Sequence, residues 1–109
     1  MKKVMFVCSC NLNRSVTFEN EAKKQFKNLD IRSAGIYHGY PHRVTPETMK
    51  WADKVYVMDL AHLKFIHSRY PECKNKTELI GVSDQYDVDS PELKDLYKWW
   101  VANIKQGDI

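Results

Sequence analysis

Lys3 to Val7 is a short apolar run, bounded by charge on one side and by the sequence Cys8-Ser9-Cys10-Asn11 on the other. Its length and β-branched content suit a central strand, although periodicity alone also fits a buried helical segment. From Ser15 to Phe26 the pattern changes: Phe18, Ala22 and Phe26 recur every four residues among Glu19, Glu21, Lys23 and Lys24. That spacing predicts an amphipathic helix ending near Asn28. Asp30 to Ala34 reads as a second strand closed by Gly35, and Ile36 to Val44, with Gly39 and Pro41, reads as surface loop. Thr45-Pro46-Glu47 supplies an N-cap, a first-turn proline and a first-turn acid for a short helix to Trp51. Lys54 to Met58 is a third strand. Asp59 caps a helix from Leu60 to about Ser68, and Pro71 bars its continuation. Thr77 to Val82 is a fourth strand, and Ser90-Pro91-Glu92 opens a last helix whose inner face carries Leu93, Leu96, Trp100, Val101 and Ile104.

Strands alternating with helices imply β-α-β units and a parallel sheet in a single domain spanning residues 1–109. In such a sheet a ligand site lies beyond the carboxyl ends of the strands. Cys8, Ser33 and Asp84 all fall at or near such ends.

Composition narrows the class. The 109 residues are 43% hydrophobic and 28% charged, as in an ordinary folded globule. No apolar run approaches the roughly 20 residues that span a bilayer. The opening MKKVMFVCSCN lacks the length and cleavage region of a signal peptide, so the expected location is cytoplasmic. A net charge of +3 suits an anionic substrate, but no basic patch interleaved with aromatics argues for nucleic acid. His38, His42, His62 and His67 show no metal-ligand spacing, and neither a metal nor another cofactor is expected. Of the three cysteines, Cys8 and Cys10 lie two apart and Cys73 is distant, a pattern that favours a free reactive thiol over a disulfide framework. Cys10 is either an incidental loop thiol or a redox partner for Cys8.

The chemistry concentrates between Cys8 and Arg14, which enclose five residues and are followed directly by Ser15. Wrapped at a helix N-terminus, the segment Ser9, Cys10, Leu12, Asn13 with Asn11 can turn successive backbone N–H groups toward one anion. Arg14 can add a bidentate pair of charge-assisted hydrogen bonds. The same donors favour Cys8 as a thiolate nucleophile. A phosphomonoester also needs an acid for its leaving oxygen, and Asp84, following a strand, is the first choice, with Asp87 and Asp89 as nearby competitors.

With those residues in view, the chain resembles the low-molecular-weight protein tyrosine phosphatase family, particularly its short members. VCSCNLNRS resembles that family's nucleophile loop, RSAG at Arg32 to Gly35 its D-S-A-G, WADKVYVMDLAH at Trp51 to His62 its segment after the second helix, and SDQY at Ser83 to Tyr86 its acid loop. The resemblance implies a three-layer α/β/α, flavodoxin-like fold with four parallel strands. It also implies metal-independent hydrolysis of phosphotyrosine or another aryl phosphate through cysteinyl-phosphate. By the same resemblance Cys8 is the nucleophile, Arg14 the phosphate-binding arginine and Asp84 the general acid. Asn11, Ser15 and Ser33 support the loop, with Ser33 bracing Asn11. Tyr37, Tyr40 and Tyr86 are candidate walls for an aryl ring. The implied partners are a phosphorylated protein or a small aryl phosphate, with phosphate, sulfate or vanadate as inhibitors. The chain is shorter than full-length members, and it carries Val16, Gln85 and Asp87 where the family has proline, proline and tyrosine. Two other functions stay open: an arsenate reductase-like thiol enzyme, which needs a relay of cysteines with Cys10 as the near and Cys73 as the sole distal candidate, and a non-catalytic oxyanion-binding module.

Overall fold

The computed structural model describes residues 1–37, 39 and 42–104. Four strands, β1 (Lys2–Cys8), β2 (Leu29–Gly35), β3 (Lys54–Val57) and β4 (Thr77–Leu79), form one parallel sheet in the order β2-β1-β3-β4. Between and after them run α1 (Arg14–Gln25), α2 (Pro46–Trp51), α3 (Leu60–Arg69) and α4 (Pro91–Asn103). The chain moves one way from β1 to β2 and the other way to β3, so a switch point opens beside the carboxyl end of β1.

The apolar run of β1 reads as continuous because both of its faces are covered. Val4, Phe6 and Cys8 turn into a core with Phe18 and Ala22 of α1 and Leu93, Tyr97 and Trp100 of α4. Met5 and Val7 turn into a second core with Met49 of α2, Ile66 of α3 and Cys73. The architecture is therefore three-layer α/β/α. Rings stiffen the first core: Phe6 meets Phe18, Tyr56 and Trp100 at centroid separations of 5.9, 5.8 and 5.7 Å.

Helix starts follow their caps. Thr45 accepts from Thr48 N, Asp59 from Ala61 N and His62 N, and Ser90 from Leu93 N. Two elements depart from the sequence reading. β4 stops at Leu79 instead of reaching Val82, because Gly81 adopts φ +89 and the amides of Gly81 and Val82 both turn to Met58 O. Pro71 does more than end α3: it begins a 3-10 helix, Pro71–Lys76, that carries Cys73 into the second core. Among the described residues no helix is long and apolar enough to cross a membrane.

Candidate active site

Cys8 is the last residue of β1 and is paired in register with Gly35 at the end of β2. From there the chain curls tightly, with Asn11 in the left-handed region at φ 58, before α1 starts at Arg14. The direction of the curl is set by its carbonyls. Cys8 O accepts from Ile36 N at 3.1 Å, while Ser9 O accepts from Ile36 N at 2.9 Å and from Tyr37 N at 3.1 Å. Those carbonyls are held toward the end of β2. On the inner side Asn11 N donates to Cys8 Sγ at 3.3 Å. A cavity of about 180 Å³ results, lined by Cys8, Ser9, Cys10, Leu12, Asn13, Arg14 and Asp84. That is ample room for a tetrahedral oxyanion.

Arg14 is only 3% exposed, and its charge is compensated from the ends of two other strands. Nη1 donates to Asp59 Oδ2, just past β3, and to Val82 O, past β4, both at 2.9 Å. Nη2 donates to Ser9 Oγ at 3.3 Å. Three of a guanidinium's five N–H donors are thus committed to the protein, and these contacts fix the plane of the group. Burial pushes the Asp59 carboxyl upward, but the hydrogen bond from Arg14 and the positive charges beside it win, leaving it below the usual aspartate value.

His62 adds a further strut. Its Nδ1 accepts from Asp59 N at 3.1 Å, closing a capping box with Asp59, and its Nε2 lies 2.9 Å from Ser9 Oγ. Burial is the main reason its pKa falls to about 4; the Asp59 and Asp84 carboxylates pull it up, and Arg14 pushes it down. At neutral pH the ring is uncharged. Beneath the Cys8 sulfur, Ser15 Oγ is 3.0 Å from Cys8 Sγ and donates to Asn11 Oδ1 at 2.8 Å.

The fold thus brings Cys8, Ser9, Cys10, Leu12, Asn13, Arg14 and Asp84 to one cavity, with Asn11 and Ser15 under it. Asp84 is the member of the Asp84, Asp87, Asp89 set that lines the cavity; the Asp89 amide is instead tied to Thr17 Oγ1. The brace expected between Ser33 and Asn11 is not formed. Ser33 Oγ donates to Glu19 Oε1, a carboxylate on α1 that takes the hydroxyl's single proton, and Asn11 is held by Ser15. Tyr37 stands 53% exposed beside Ser9, whereas Tyr86 is half-buried against the first core. Tyr40 lies outside the described residues, as does His38. Leu12, read from sequence only as an amide donor, is 56% exposed at the cavity and presents an apolar rim.

Sequence reasoning missed the site roles of Asp59, His62 and the Val82 carbonyl. The available signal was Asp59 and His62 three residues apart directly after a central strand, where a capping box also faces the switch point.

No family model matches the sequence, and no curated protein matches it either. Solved structures do. Wzb from Vibrio vulnificus in complex with benzylphosphonate is 20% identical, with 94% of this chain and 99% of that one covered at a TM-score of 0.76. The low-molecular-weight protein tyrosine phosphatase of Streptococcus pyogenes is 19% identical over 97% and 95% of the two chains, with a TM-score of 0.75. The fold is that of the low-molecular-weight tyrosine phosphatases. The YwlE arginine phosphatase of Geobacillus stearothermophilus shares this phosphatase fold as well, at 22% identity over 92% and 83% of the chains and a TM-score of 0.66.

Proposed function

We propose that this chain is a member of the low-molecular-weight phosphatase family that hydrolyses aryl phosphomonoesters, phosphotyrosine among them, through a cysteinyl-phosphate and without a metal. The observation that carries the reading is the meeting of Cys8, Arg14 and Asp84 on one small cavity whose wall is the start of α1. Phosphoryl transfer asks a protein mainly for positioning and charge stabilisation. The loop amides and the free edge of Arg14 supply both for the three equatorial oxygens.

In the first step Cys8 Sγ attacks phosphorus in line, the P–O bond to the aryl group breaks, and Asp84 gives its proton to the leaving oxygen. In the second, the Asp84 carboxylate takes a proton from water, whose oxygen attacks phosphorus as the S–P bond breaks. Phosphate leaves and the thiolate returns. Ser15 has one proton to give. Turned toward Asn11 it accepts from the Cys8 thiol, and turned toward sulfur it steadies the thiolate, so the hydroxyl serves both ends of the cycle. Exposed Leu12 at the cavity supports an aryl ring over a guanidino group. Wzb in complex with benzylphosphonate and Wzb of Escherichia coli with phosphate or sulfate support the choice of tetrahedral oxyanions as ligands. Phosphate, sulfate and vanadate are accordingly the expected inhibitors.

The alternatives lose ground to specific placements. An arsenate reductase would need Cys73 as a distal relay thiol, but Cys73 is buried in the second core, its Sγ toward Met49 O, and burial raises its pKa. A pure binding module gives no reason for a carboxylate at Asp84 beside an anion cradle.

The test is hydrolysis of p-nitrophenyl phosphate in the presence of a metal chelator. Cys8→Ser should abolish turnover. Arg14→Lys, which loses the planar fork, should cost at least about 1,000-fold in kcat/KM. Asp84→Asn should lose about 100-fold on poor leaving groups and progressively less on better ones. Turnover by Cys8→Ser equal to the wild type would end the covalent reading.

A further inference from the structure

Ser9 makes an unusual set of hydrogen bonds. A serine hydroxyl has one proton to donate and two lone pairs to accept with. His62 Nδ1 accepts the Asp59 amide, so the proton of the neutral ring stands on Nε2, and at 2.9 Å that N–H donates to Ser9 Oγ. Arg14 Nη2 donates to the same oxygen at 3.3 Å. Both partners of Ser9 Oγ are therefore donors, and both lone pairs are used. The hydroxyl's own proton has no acceptor among these partners, and Ser9 lines the cavity with Cys8, Arg14 and Asp84.

We propose that Ser9 is a catalytic residue: its O–H donates to a nonbridging oxygen of the bound oxyanion, in an orientation enforced by His62 and Arg14. The loop then offers a side-chain donor in addition to its backbone amides. His62 acts through Ser9 as a positioning residue, and the capping box that holds His62 Nδ1 keeps the ring from rotating its donor away. The inference rests on the phosphatase reading for the identity of the anion, but its geometry asks only for a tetrahedral oxyanion with lone pairs at the cavity centre. An added donor of this kind counts most where negative charge is greatest, so vanadate, which mimics the transition state, should feel its loss more than phosphate does.

Calorimetric titration of the whole chain with inorganic phosphate and with vanadate tests this without relying on turnover. Ser9→Ala should weaken phosphate binding by about 10-fold and vanadate binding by about 100-fold, the scale of one oxyanion donor, with the melting temperature little changed. Ser9→Thr, which keeps the hydroxyl, should restore both affinities. In p-nitrophenyl phosphate hydrolysis the loss in Ser9→Ala should fall on kcat more than on KM. Wild-type affinities in Ser9→Ala would overturn the assignment while leaving the phosphatase reading intact. Ser9-dependent binding in a wild type that hydrolyses nothing would support the donor and sink the enzyme. No binding of either anion to the wild type would overturn both.

Discussion

Gly35 has no side chain because the loop after Cys8 lies where one would be. A Cβ built there would stand 2.7 Å from Ser9 O, 2.8 Å from Cys10 C and 2.9 Å from Asn11 N, all backbone atoms that cannot step aside singly. The same glycine pairs with Cys8 in the sheet register, so the contact is set by β1 and β2 together and not by a movable loop. Gly35→Ala should therefore displace the cradle relative to Cys8. A loss of about 2 kcal/mol in stability, as for other overpacked sites, and a drop in kcat/KM of at least about 100-fold are expected from urea unfolding and p-nitrophenyl phosphate assays. A variant with normal kinetics would mean the loop's shape does not depend on this close approach. The residue types at the cradle were legible from sequence, since Cys8 and Arg14 enclose five residues between a strand pattern and a helix pattern, and the family resemblance added Ser15. The partner of Ser33 was not, because Glu19 and Asn11 are one helical face and one loop turn apart and only the packed distances decide between them.

At the scale of elements, Asp59 joins a helix end to the guanidinium. Its Oδ1 accepts from Ala61 N at 2.9 Å and caps α3, while Oδ2 takes Arg14 Nη1 at 2.9 Å. Two variants separate the tasks. Asp59→Asn keeps a good cap but loses the negative charge facing Arg14, and Asp59→Ala loses both. Thermal unfolding should place Asp59→Asn below the wild type, because buried Arg14 is left without its facing carboxylate, and Asp59→Ala about 1 kcal/mol lower again, the usual cost of a lost N-cap. Activity should fall in both, because the plane of Arg14 is no longer fixed. If Asp59→Asn were fully active, charge compensation at Arg14 would be dispensable. The beginnings of α2, α3 and α4 were the most readable features, announced by Thr45, Asp59 and Ser90, whereas α1 starts without a side-chain cap. The end of β4 was the least: Ile80 and Val82 continue the apolar pattern, yet Gly81 turns the chain, and its left-handed φ is permitted, not announced, by the residue type.

For the whole molecule, the alternation of strand and helix patterns was enough to infer a parallel sheet with covered faces, since β1 carries apolar residues on both sides. Strand order was not in the pattern, and with it went the convergence of Val82, Asp59 and His62 on the end of β1. That convergence links folding to pH. In the folded chain His62 is buried and its pKa is about 4, against 6.5 when exposed, so between those values the unfolded chain binds more protons. Stability from this residue is fully present above pH 6.5 and declines as the pH falls toward 4. The slope is at most about 1.4 kcal/mol per pH unit, for a total on the order of 3 kcal/mol. Asp59 acts in the same direction but at lower pH: its lowered pKa contributes above its ordinary value of 3.8 and is lost only in stronger acid, so it has no part in the decline between pH 6.5 and 4. The charges facing the ring are Asp59, Asp84 and Arg14. Protonated Nδ1 would also oppose the Asp59 amide that it now accepts, so acid should loosen the start of α3 and the Arg14 contacts in one event. Urea midpoints at pH 7, 6, 5 and 4 should fall steadily below pH 6.5 in the wild type. In His62→Gln, which has no proton to gain, the decline over that interval should flatten, and an equally steep decline there would show that other groups govern the acid response.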